Sequence, residues 1–456
     1  MQQGAPPVIP SFGEALRVWA KVGLLSFGGP AGQIALMHRM LVDEKRWIGE
    51  HRFLHALSYC MLLPGPEAQQ LAVYIGWLLH GVRGGLAAGI LFVLPGAVVM
   101  LVLSAVYALY HDLPALTALF LGVKAVVLAI VIEAILRIGR RALKNRVAVA
   151  IAVAAFIGIY VLKVPFPLIV LGAGLLGWMG HRVSPAAFPA AGGHGNGAQP
   201  DTHGLIDTLI EGGGLTHTRR STPRALRTLA LWLALWIGPI LALRLVTGGD
   251  SIWTNLGQFF SVMAVVTFGG AYAVLAYVAQ AAVDGFHWLL PHEMVDGLGL
   301  AETTPGPLIL VLQFVGFLAA FRAHGALDPL LAGTLGAALV LWATFAPCFL
   351  WIFVGAPYVE ALRNNQAISA ALAAVTAAVV GVIANLAVWF GLHVLFGATR
   401  EVPLAGLSLE LPVFASVNWI TAAIALAAVI AMLRFRVGAL PTLAFGALAG
   451  LVTLWL

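Results

Sequence analysis

Charged residues are scarce in this chain. Only 10% of its 456 residues are Asp, Glu, Lys or Arg, whereas 61% are hydrophobic, and a soluble domain carries about 25% charged residues. Apolar segments of roughly 20 residues fill most of the sequence, which is typical of a protein that crosses a membrane many times as α-helices. Cysteine is also scarce. Cys60 and Cys348 build no disulfide framework, and we expect no disulfide.

Sequence motifs of enzymes and of ATP-driven pumps are missing. The chain contains no G-x-x-x-x-G-K-[ST] phosphate loop, no H-E-x-x-H zinc motif and no G-x-S-x-G nucleophile turn. The net charge of +6 does not indicate a nucleic-acid partner, because most Lys and Arg residues stand at the ends of apolar segments. We therefore expect no catalytic residue, no cofactor and no metal site.

What the chain does contain is one pattern that occurs twice. The first copy is Ser26-Phe27-Gly28-Gly29-Pro30 with Leu63-Pro64-Gly65-Pro66, and the second is Thr267-Phe268-Gly269-Gly270 with Thr304-Pro305-Gly306-Pro307. Phe27 and Phe268 lie 241 positions apart (268 − 27), as do Pro64 and Pro305 (305 − 64). Glycine and proline interrupt helices. Matching interruptions in two halves of an apolar chain are typical of transporters, whose substrate site lies where the broken helices meet.

The repeat continues beyond these motifs with a shifted register. Pro95 and Pro347 lie 252 positions apart (347 − 95), and so do Lys124 and Thr376 (376 − 124). An internal duplication explains both offsets. We predict the following organisation: a first transporter repeat at 1–181, a linker rich in Gly, Pro, His and Ser at 182–228, an extra transmembrane helix at 229–247, and a second repeat at 248–456. The linker composition predicts flexibility.

The positions of Lys and Arg indicate that the two repeats have opposite orientations. Cytoplasmic loops are enriched in these residues. The first repeat carries basic clusters at 39–52 and 137–146, whereas the matching loops of the second repeat, at 281–297 and 389–403, are acidic or nearly neutral. We therefore predict an all-α polytopic membrane protein in which two homologous halves form an inverted repeat with Gly/Pro-interrupted helices. The linker is expected in the cytoplasm.

Each half is expected to hold two pairs of short helices, hinged at the interruptions, followed by four longer helices. The last two helices of the chain are expected at about 411–433 and 438–456. Whether the short pairs cross the bilayer or re-enter from one side is left open by the sequence, because the parity of crossings is the same either way.

The interruptions are the first candidate site. A helix that starts after Pro66 or Pro307 directs free N–H groups and a positive dipole end back at the break, and such ends bind anions. The alternative is that the breaks are kinks needed only for packing. The substrate-binding candidates at the breaks are Phe27, Gly28, Gly29, Pro64, Gly65, Pro66, Gln70, Phe268, Gly269, Gly270, Thr304, Pro305, Gly306 and Pro307. Gln69, Thr303 and Gln313 also stand beside the Pro-Gly-Pro motifs, and hydroxyls and amides can donate hydrogen bonds to an oxyanion.

Three ionisable residues complete the candidate site. Lys124 stands near the centre of an apolar segment, where a charge is costly and is a functional candidate by default. It would supply positive charge to an anion, unless it snorkels to an interface or pairs with Glu67 or Glu133. Glu67 and Glu302, beside the two breaks, are candidates to carry a proton. For Glu67, a carboxylate that complements a helix dipole is the alternative.

At these residues the sequence resembles the chromate ion transporter family in its long two-domain form. The resemblance rests on both interruption motifs, on Glu67-Ala68-Gln69-Gln70, on Val131 to Arg137 and on Ala271 to Leu275, and it covers essentially the whole chain outside the termini and the linker. It implies a multi-pass carrier of the bacterial inner membrane that exports chromate, driven by the membrane potential or a proton gradient. It also implies duplicated halves of opposite orientation.

Several alternatives stay open on the sequence. Sulfate has the same shape and charge as chromate, so a sulfate uptake carrier fits equally well. An anion channel and a membrane enzyme are further alternatives. The expected partners are a chromate or sulfate anion and membrane lipid, and a homodimer is compatible with the sequence. Direction of transport, coupling ion and stoichiometry are not predicted.

Overall fold

The computed structural model describes residues 9–27, 29–188, 204–211, 215–268, 271–358, 366–404 and 407–455. These residues are almost entirely helical. The helices are α1 (Phe12–Leu25), α2 (Gly29–His38, continued by a π-helical turn Arg39–Glu44), α3 (Glu50–Cys60), α4 (Glu67–Tyr110), α5 (Pro114–Ala142), α6 (Arg146–Tyr160), α7 (Phe166–Val183), α8 (Leu205–Glu211), α9 (Thr222–Thr247), α10 (Ile252–Val266), α11 (Ala271–Gln280, continued by a π-helical turn Ala281–Gly285), α12 (Pro291–Thr303), α13 (Val311–Arg322), α14 (Pro329–Gly355), α15 (Gln366–Leu395), α16 (Trp419–Phe435) and α17 (Ala439–Val452). Six of them, α4, α5, α7, α9, α14 and α15, are long and apolar enough to cross a membrane.

Local sequence explains where several of these helices begin. The side chains of Asn145, Asp328 and Asn418 each accept a hydrogen bond from the backbone N–H three residues later, which caps the first turn of α6, α14 and α16. Pro114 opens α5 at a position where the missing N–H costs nothing. Short polar side chains therefore set the starts of helices whose interiors are apolar.

Two of the short helix pairs, one in each half, begin and end on the same side of the molecule, as a re-entrant hairpin does. In the first half, Lys45 at the end of the α1–α2 pair contacts Glu14 at its start, with 2.8 Å between Nζ and Oε1. In the second half, Arg322 at the end of α13 forms an ion pair with Glu293 near the start of α12. The tip of each of these hairpins carries an interruption motif, at the end opposite to the ion pair.

Helix α4 joins a re-entrant segment to a crossing segment. It kinks at His80 and Gly81, where Gly81 has φ +60. The Nε2 atom of His80 lies 2.8 Å from the carbonyl oxygen of Pro10, beside the start of α1. The chain therefore returns to the side of the molecule on which α1 begins. Gly81 then redirects it along the rest of α4. A left-handed glycine permits this sharp change of direction.

The two halves are interlocked through small residues. Gly122 of α5 packs so closely on Gly446 of α17 that a Cβ atom on Gly122 would lie 1.8 Å from the Gly446 carbonyl oxygen. Gly381 of α15 approaches Ala152 of α6 in the same way, at 2.0 Å. Small residues permit this close contact between membrane helices. Each half thus packs its long helices against those of the other half.

The linker is partly ordered by contacts with the first half. The Asp207 carboxylate in α8 accepts hydrogen bonds from the N–H groups of Gly49 (2.7 Å) and Gly204 (2.9 Å) and pairs with Arg52. Ile206 is fully buried beside it. The predicted linker therefore includes a short helix that is docked on the first half, because an apolar and an acidic side chain have partners there.

Two boundaries differ from the sequence predictions. The helix expected from residue 229 begins at Thr222. A helix was also expected from about residue 411, but an antiparallel hairpin of β1 (Thr399–Leu404) and β2 (Leu407–Pro412) occupies that region, and α16 begins only at Trp419. Residues 407–411 alternate leucine with Ser and Glu, which is the period of a strand.

Candidate functional site

The Pro-Gly-Pro loop of each half contacts the residue that precedes the Phe-Gly-Gly break of the other half. The N–H of Gly65 donates to the carbonyl oxygen of Thr267 at 2.8 Å, and the N–H of Gly306 donates to the carbonyl oxygen of Ser26 at 2.7 Å. Gly65 and Gly306 are equivalent in the duplicated sequence, and so are Ser26 and Thr267. Exchange of the halves therefore maps one hydrogen bond onto the other, so the four breaks meet in two equivalent pairs.

Both Pro-Gly-Pro loops need glycine at their centre. Gly65 has φ +113 and Gly306 has φ +96, in the range that residues with a side chain rarely adopt. Space is also short at Gly65. A Cβ atom there would lie 2.9 Å from Gln70 Nε2 and 3.0 Å from Cys348 Sγ. The loops are thus held in a conformation that their sequence is suited to form.

Each Pro-Gly-Pro loop also packs against a long helix of the opposite half. Cys348 of α14 lies beside Gly65, as described above, and Gly96 of α4 lies beside Pro305, whose carbonyl oxygen would be 2.0 Å from a Cβ atom on Gly96. Cys348 and Gly96 are equivalent positions, each directly after an intrahelical proline, Pro347 and Pro95. The offset of 252 positions between Pro95 and Pro347 in the sequence therefore relates a second pair of equivalent contacts in the structure.

Glutamine side chains bind the same two loops. Gln33 of α2 donates from Nε2 to the carbonyl oxygen of Gly306 at 2.5 Å. Gln70 of α4 donates from Nε2 to the carbonyl oxygen of Pro64 at 2.7 Å. Both side chains are buried, and the Oε1 atom of each has no hydrogen-bond partner among the described residues. Gln33 thereby reaches from the first half to the loop of the second.

Two further glutamines are buried near the breaks. Gln69 is 0% exposed, and neither its Oε1 nor its Nε2 atom has a partner within the described part of the chain. Gln313 of α13 donates from Nε2 to the carbonyl oxygen of Ala97 at 2.9 Å and leaves Oε1 unpartnered. Buried polar atoms without partners are rare, and each calls for an explanation such as a ligand or water that binds there. Gln69, Gln70 and Gln313 are among the polar residues that the sequence places beside the Pro-Gly-Pro motifs, whereas Gln33 is not.

The two loops differ in exposure. Pro64, Gly65 and Pro66 are partly exposed, whereas the residues of the second loop, from Thr304 to Pro307, are buried. The hydroxyl of Thr304 donates to the carbonyl oxygen of Ala301 at 3.0 Å. The contacts of the two breaks are mirrored, but their access from outside is not. Of the remaining predicted site residues, Phe27 and Phe268 are partly exposed beside the breaks, and Gly28, Gly269 and Gly270 lie outside the described residues.

The two carboxyl candidates have different surroundings. Glu67 is the first residue of α4, directly after Pro66, and is partly exposed. Glu302, at the end of α12, is buried and accepts a 2.6 Å hydrogen bond from the hydroxyl of Tyr272. Both stand one turn or less from a break. Their roles as proton carriers stay predictions.

Lys124 pairs with a residue that sequence analysis did not select. Its Nζ atom lies 3.6 Å from Oδ1 of Asp296 on α12, and the hydroxyl of Tyr107 donates to Oδ2 of the same carboxylate at 2.9 Å. Asp296 precedes Pro305 by nine positions (305 − 296), a rise of roughly 14 Å along a helix. Glu133 pairs instead with Arg137, one turn further along α5, at 3.4 Å.

An apolar groove of about 300 Å³ lies between α5, α12 and α17. It is lined by Phe120, Val123, Gly299, Leu443 and neighbouring apolar residues, and by Thr303. The hydroxyl of Thr303 already donates to the carbonyl oxygen of Leu300 at 2.8 Å. A small, doubly charged oxyanion needs several free hydrogen-bond donors, which this lining does not offer. The breaks, with their buried amides, remain the candidate substrate site.

Comparison with known proteins agrees with a duplicated transporter. The sequence model of the family described as chromate transporter matches residues 13–178 and 254–451, one region in each half. The chain is 33% identical to the chromate transport protein of Pseudomonas aeruginosa over 391 residues, which covers 84% of this chain and 81% of that protein. It is 26% identical to a probable chromate transport protein of Synechococcus elongatus (84% and 85% covered) and 27% identical to the chromate transport protein of Cupriavidus metallidurans (81% and 80% covered).

No solved structure matches the chain. The family match spans most of the sequence and both interruption motifs. With its long apolar helices, this multi-pass membrane protein belongs to the chromate transporter family.

Proposed function

We propose that this protein is a secondary transporter that exports chromate across a bacterial inner membrane, with the linker on the cytoplasmic side. Family membership supports chromate as the substrate. The orientation follows from the basic clusters of the first half at 39–52 and 137–146, because such clusters favour the cytoplasmic side. The driving force is the membrane potential or a proton gradient.

The observation that carries this proposal is the pair of crossed hydrogen bonds at the breaks, Gly65 to Thr267 and Gly306 to Ser26, with unpartnered amide atoms close by in sequence and space. A tetrahedral dianion needs several donors in a site that excludes water. The amide of Gln69 and the first N–H groups of α4 supply such donors without a fixed charge. The same groups suit an oxyanion better than a cation or an apolar solute.

The mirrored contacts also suggest how access alternates. Each half contributes one Pro-Gly-Pro loop and one Phe-Gly-Gly break, and each crossed hydrogen bond closes one loop against the other half. If one bond opens while the other stays closed, the site faces one side only. Both bonds are formed in this structure, but the first loop, Pro64 to Pro66, is partly exposed and the second, Thr304 to Pro307, is buried. The first loop is therefore the one closer to access from outside.

The decisive experiment measures radiolabelled chromate flux in inside-out membrane vesicles that contain the protein. Export corresponds to uptake into these vesicles. We expect saturable uptake that depends on an imposed pH gradient or membrane potential and is lost in the double variant Gly65→Ala/Gly306→Ala. Gly391→Ala is a matched control, because a Cβ atom at this α15 position meets no other atom within 4 Å.

The same vesicles distinguish the alternatives. Sulfate that competes fully, with little flux of chromate itself, would identify a sulfate carrier. A flux that does not saturate and needs no counter-gradient would identify an anion channel. Recovery of chromium in a reduced form would identify a membrane enzyme that acts on chromate.

A further inference from the structure

Lys124 and Asp296 form a buried ion pair that joins the two halves. Lys124 belongs to α5 of the first half and Asp296 to α12 of the second. Asp296 is 2% exposed, and the Lys124 side chain is 19% exposed. Removal of a charge from water is expensive, so each of these groups depends on the other for neutralisation.

The carboxylate of Asp296 is anchored through only one of its oxygens. Oδ2 accepts a hydrogen bond from Tyr107, whereas Oδ1, which faces Lys124 at 3.6 Å, has no hydrogen-bond partner among the described residues. A distance of 3.6 Å is too long for a hydrogen bond. Asp296 therefore holds the ammonium in a long ion pair, a contact that another oxyanion can replace.

The other charged and titratable groups near the Lys124–Asp296 pair interact with one another or with Lys124. On α12, Glu293 is engaged by Arg322 of α13 through two N–H···O contacts. The rings of His111 and Tyr107 stack with centroids 5.5 Å apart. His292, next to Glu293 on α12, interacts electrostatically with Lys124 and His111. No second carboxylate among the described residues lies within ion-pair distance of Lys124.

The ion pair is not a product of the duplication. Lys124 corresponds to Thr376 in the other half, and Asp296 corresponds to His55 (296 − 241). The hydroxyl of Thr376 donates to the carbonyl of Leu372, within its own helix. A repeated fold alone therefore does not require a lysine and an aspartate at these positions.

We propose that Asp296 is the internal counter-anion of Lys124, which neutralises the ammonium while the carrier is empty and yields it to the transported oxyanion. This inference rests on the proposed function. A lysine inside the bilayer needs an anion in every state of the transport cycle. In the loaded state the oxyanion fills that role, and in the empty state the Asp296 carboxylate does.

The location of Asp296 links this exchange to the breaks. Asp296 and the loop that begins at Thr304 belong to one re-entrant hairpin, and α12 is a rigid helix between them. When the carboxylate leaves Lys124, a displacement of α12 is transmitted to the hydrogen bond between Gly306 and Ser26. Because Asp296 lies roughly 14 Å along the hairpin from Pro305, the oxyanion contacts Lys124 on its way to or from the breaks, and this contact favours the opening of one access path.

The test compares two fluxes in proteoliposomes that contain the purified protein. Exchange of labelled for unlabelled chromate needs only the loaded carrier, whereas net efflux also needs the empty carrier to reorient. For Asp296→Asn we expect exchange to continue at a lower half-saturation concentration and net efflux to fall by about tenfold or more, because the empty carrier holds an uncompensated ammonium. Equal changes in both fluxes, or no change, would overturn the proposal.

Two variants serve as controls for the ratio of exchange to net efflux. Asp296→Glu keeps the negative charge and should keep the ratio of exchange to net efflux near that of the unaltered protein. Glu133→Gln removes a carboxylate from α5 that pairs with Arg137, and it should change neither flux. If Asp296→Glu shows the same loss of net efflux as Asp296→Asn, charge is not the relevant property.

A measurement on the unaltered protein covers the case in which Asp296→Asn does not fold. A carboxylate that loses its cation in apolar surroundings takes up a proton, and a protonated carboxyl reacts with hydrophobic carbodiimides. Saturating chromate should therefore increase carbodiimide labelling of Asp296, read by peptide mass spectrometry. Unchanged labelling would contradict the inference. Absence of chromate flux in the unaltered protein would instead contradict the proposed function.

Discussion

The N–H of Gly65 donates to the carbonyl oxygen of Thr267 across the boundary between the two halves, at a distance of 2.8 Å. Each of these residues lies where a membrane helix is interrupted, and 202 positions of sequence separate them (267 − 65). The equivalent bond from Gly306 to Ser26 makes the arrangement mutual. Backbone groups that a broken helix leaves without partners are thus satisfied by the other half.

The glycines of the two loops should be intolerant of substitution. Gly65→Ala and Gly306→Ala each force a residue with a Cβ atom into positive φ, at a cost of about 1–2 kcal/mol. At Gly65 the added carbon also crowds Gln70 and Cys348. We expect chromate flux in vesicles to fall by about tenfold or more while the amount of inserted protein stays unchanged. Flux equal to that of the Gly391→Ala control would contradict this expectation.

Gln69→Leu should separate stability from transport. Leucine has a similar size and removes two buried polar atoms that lack partners, which should leave the protein as stable or stabilise it by about 1–3 kcal/mol. If the amide binds the oxyanion, flux is lost in the same variant. Thermal unfolding in detergent and vesicle flux measure the two effects. Gln313→Leu provides a contrast, because it also removes a hydrogen bond to Ala97. A Gln69→Leu protein with normal flux would remove this amide from the site.

Lys124→Ala should abolish chromate transport. The single variant leaves the buried Asp296 carboxylate unpaired, which typically costs about 3–5 kcal/mol. The double variant Lys124→Gln/Asp296→Asn removes both charges together and should insert normally while flux stays at background. Export by a stably inserted double variant would show that no positive charge is needed at this position.

Glu67→Gln should weaken the pH dependence of flux. A carboxyl group takes up and releases protons during a transport cycle, and an amide of the same shape does not. Flux should be measured over a range of external pH at constant membrane potential. Glu14→Gln is the control, since Glu14 lies in an exposed pair with Lys45 at the entry of the first hairpin. A pH profile that Glu67→Gln leaves unaltered would point to the alternative role as a partner of the helix dipole.

Asp207→Ala should release the docked part of the linker. It removes hydrogen bonds to the N–H groups of Gly49 and Gly204 and the pair with Arg52, a local loss of about 2 kcal/mol. Faster amide hydrogen exchange over Leu205–Glu211 is the expected result. Asp112→Ala, at a side chain that is 93% exposed, should leave that exchange rate unchanged. Equal protection in Asp207→Ala would show that burial of Ile206 alone holds this segment.

Much of the fold could be predicted from local patterns in the sequence. The start of α5 at Pro114 and the breaks at Gly65 and Gly306 follow from the backbone chemistry of single residues. The hairpin at Thr399–Pro412 was missed because an apolar stretch beside a membrane helix masked the alternation in 407–411. The start of α9 was placed too late because Pro and Arg residues before 229 have a linker-like composition, although proline also suits a first helical turn.

Partners within the site were harder to predict. Lys124 was selected because a charge inside an apolar helix is costly, but Asp296 was not, since it stands in a less apolar segment and the register of α12 against α5 is absent from the sequence. Gln33 lies on a short helix with no polar pattern around it, and its bond to Gly306 spans 273 positions. A search for amides on the helix that follows each Phe-Gly-Gly interruption would have included Gln33.

The sequence by itself determined that the protein is a duplicated, helical membrane protein whose helices break at matching points, because hydrophobicity, helix interruption and internal similarity are properties of neighbouring residues and fixed offsets. Only the tertiary structure decided that the α1–α2 and α12–α13 pairs return to the side on which they begin, that each break contacts the opposite half, and that Lys124 faces Asp296. Those contacts depend on how small residues such as Gly122 and Gly446 permit helices of the two halves to approach. Packing across the halves has no signature in any local stretch of sequence.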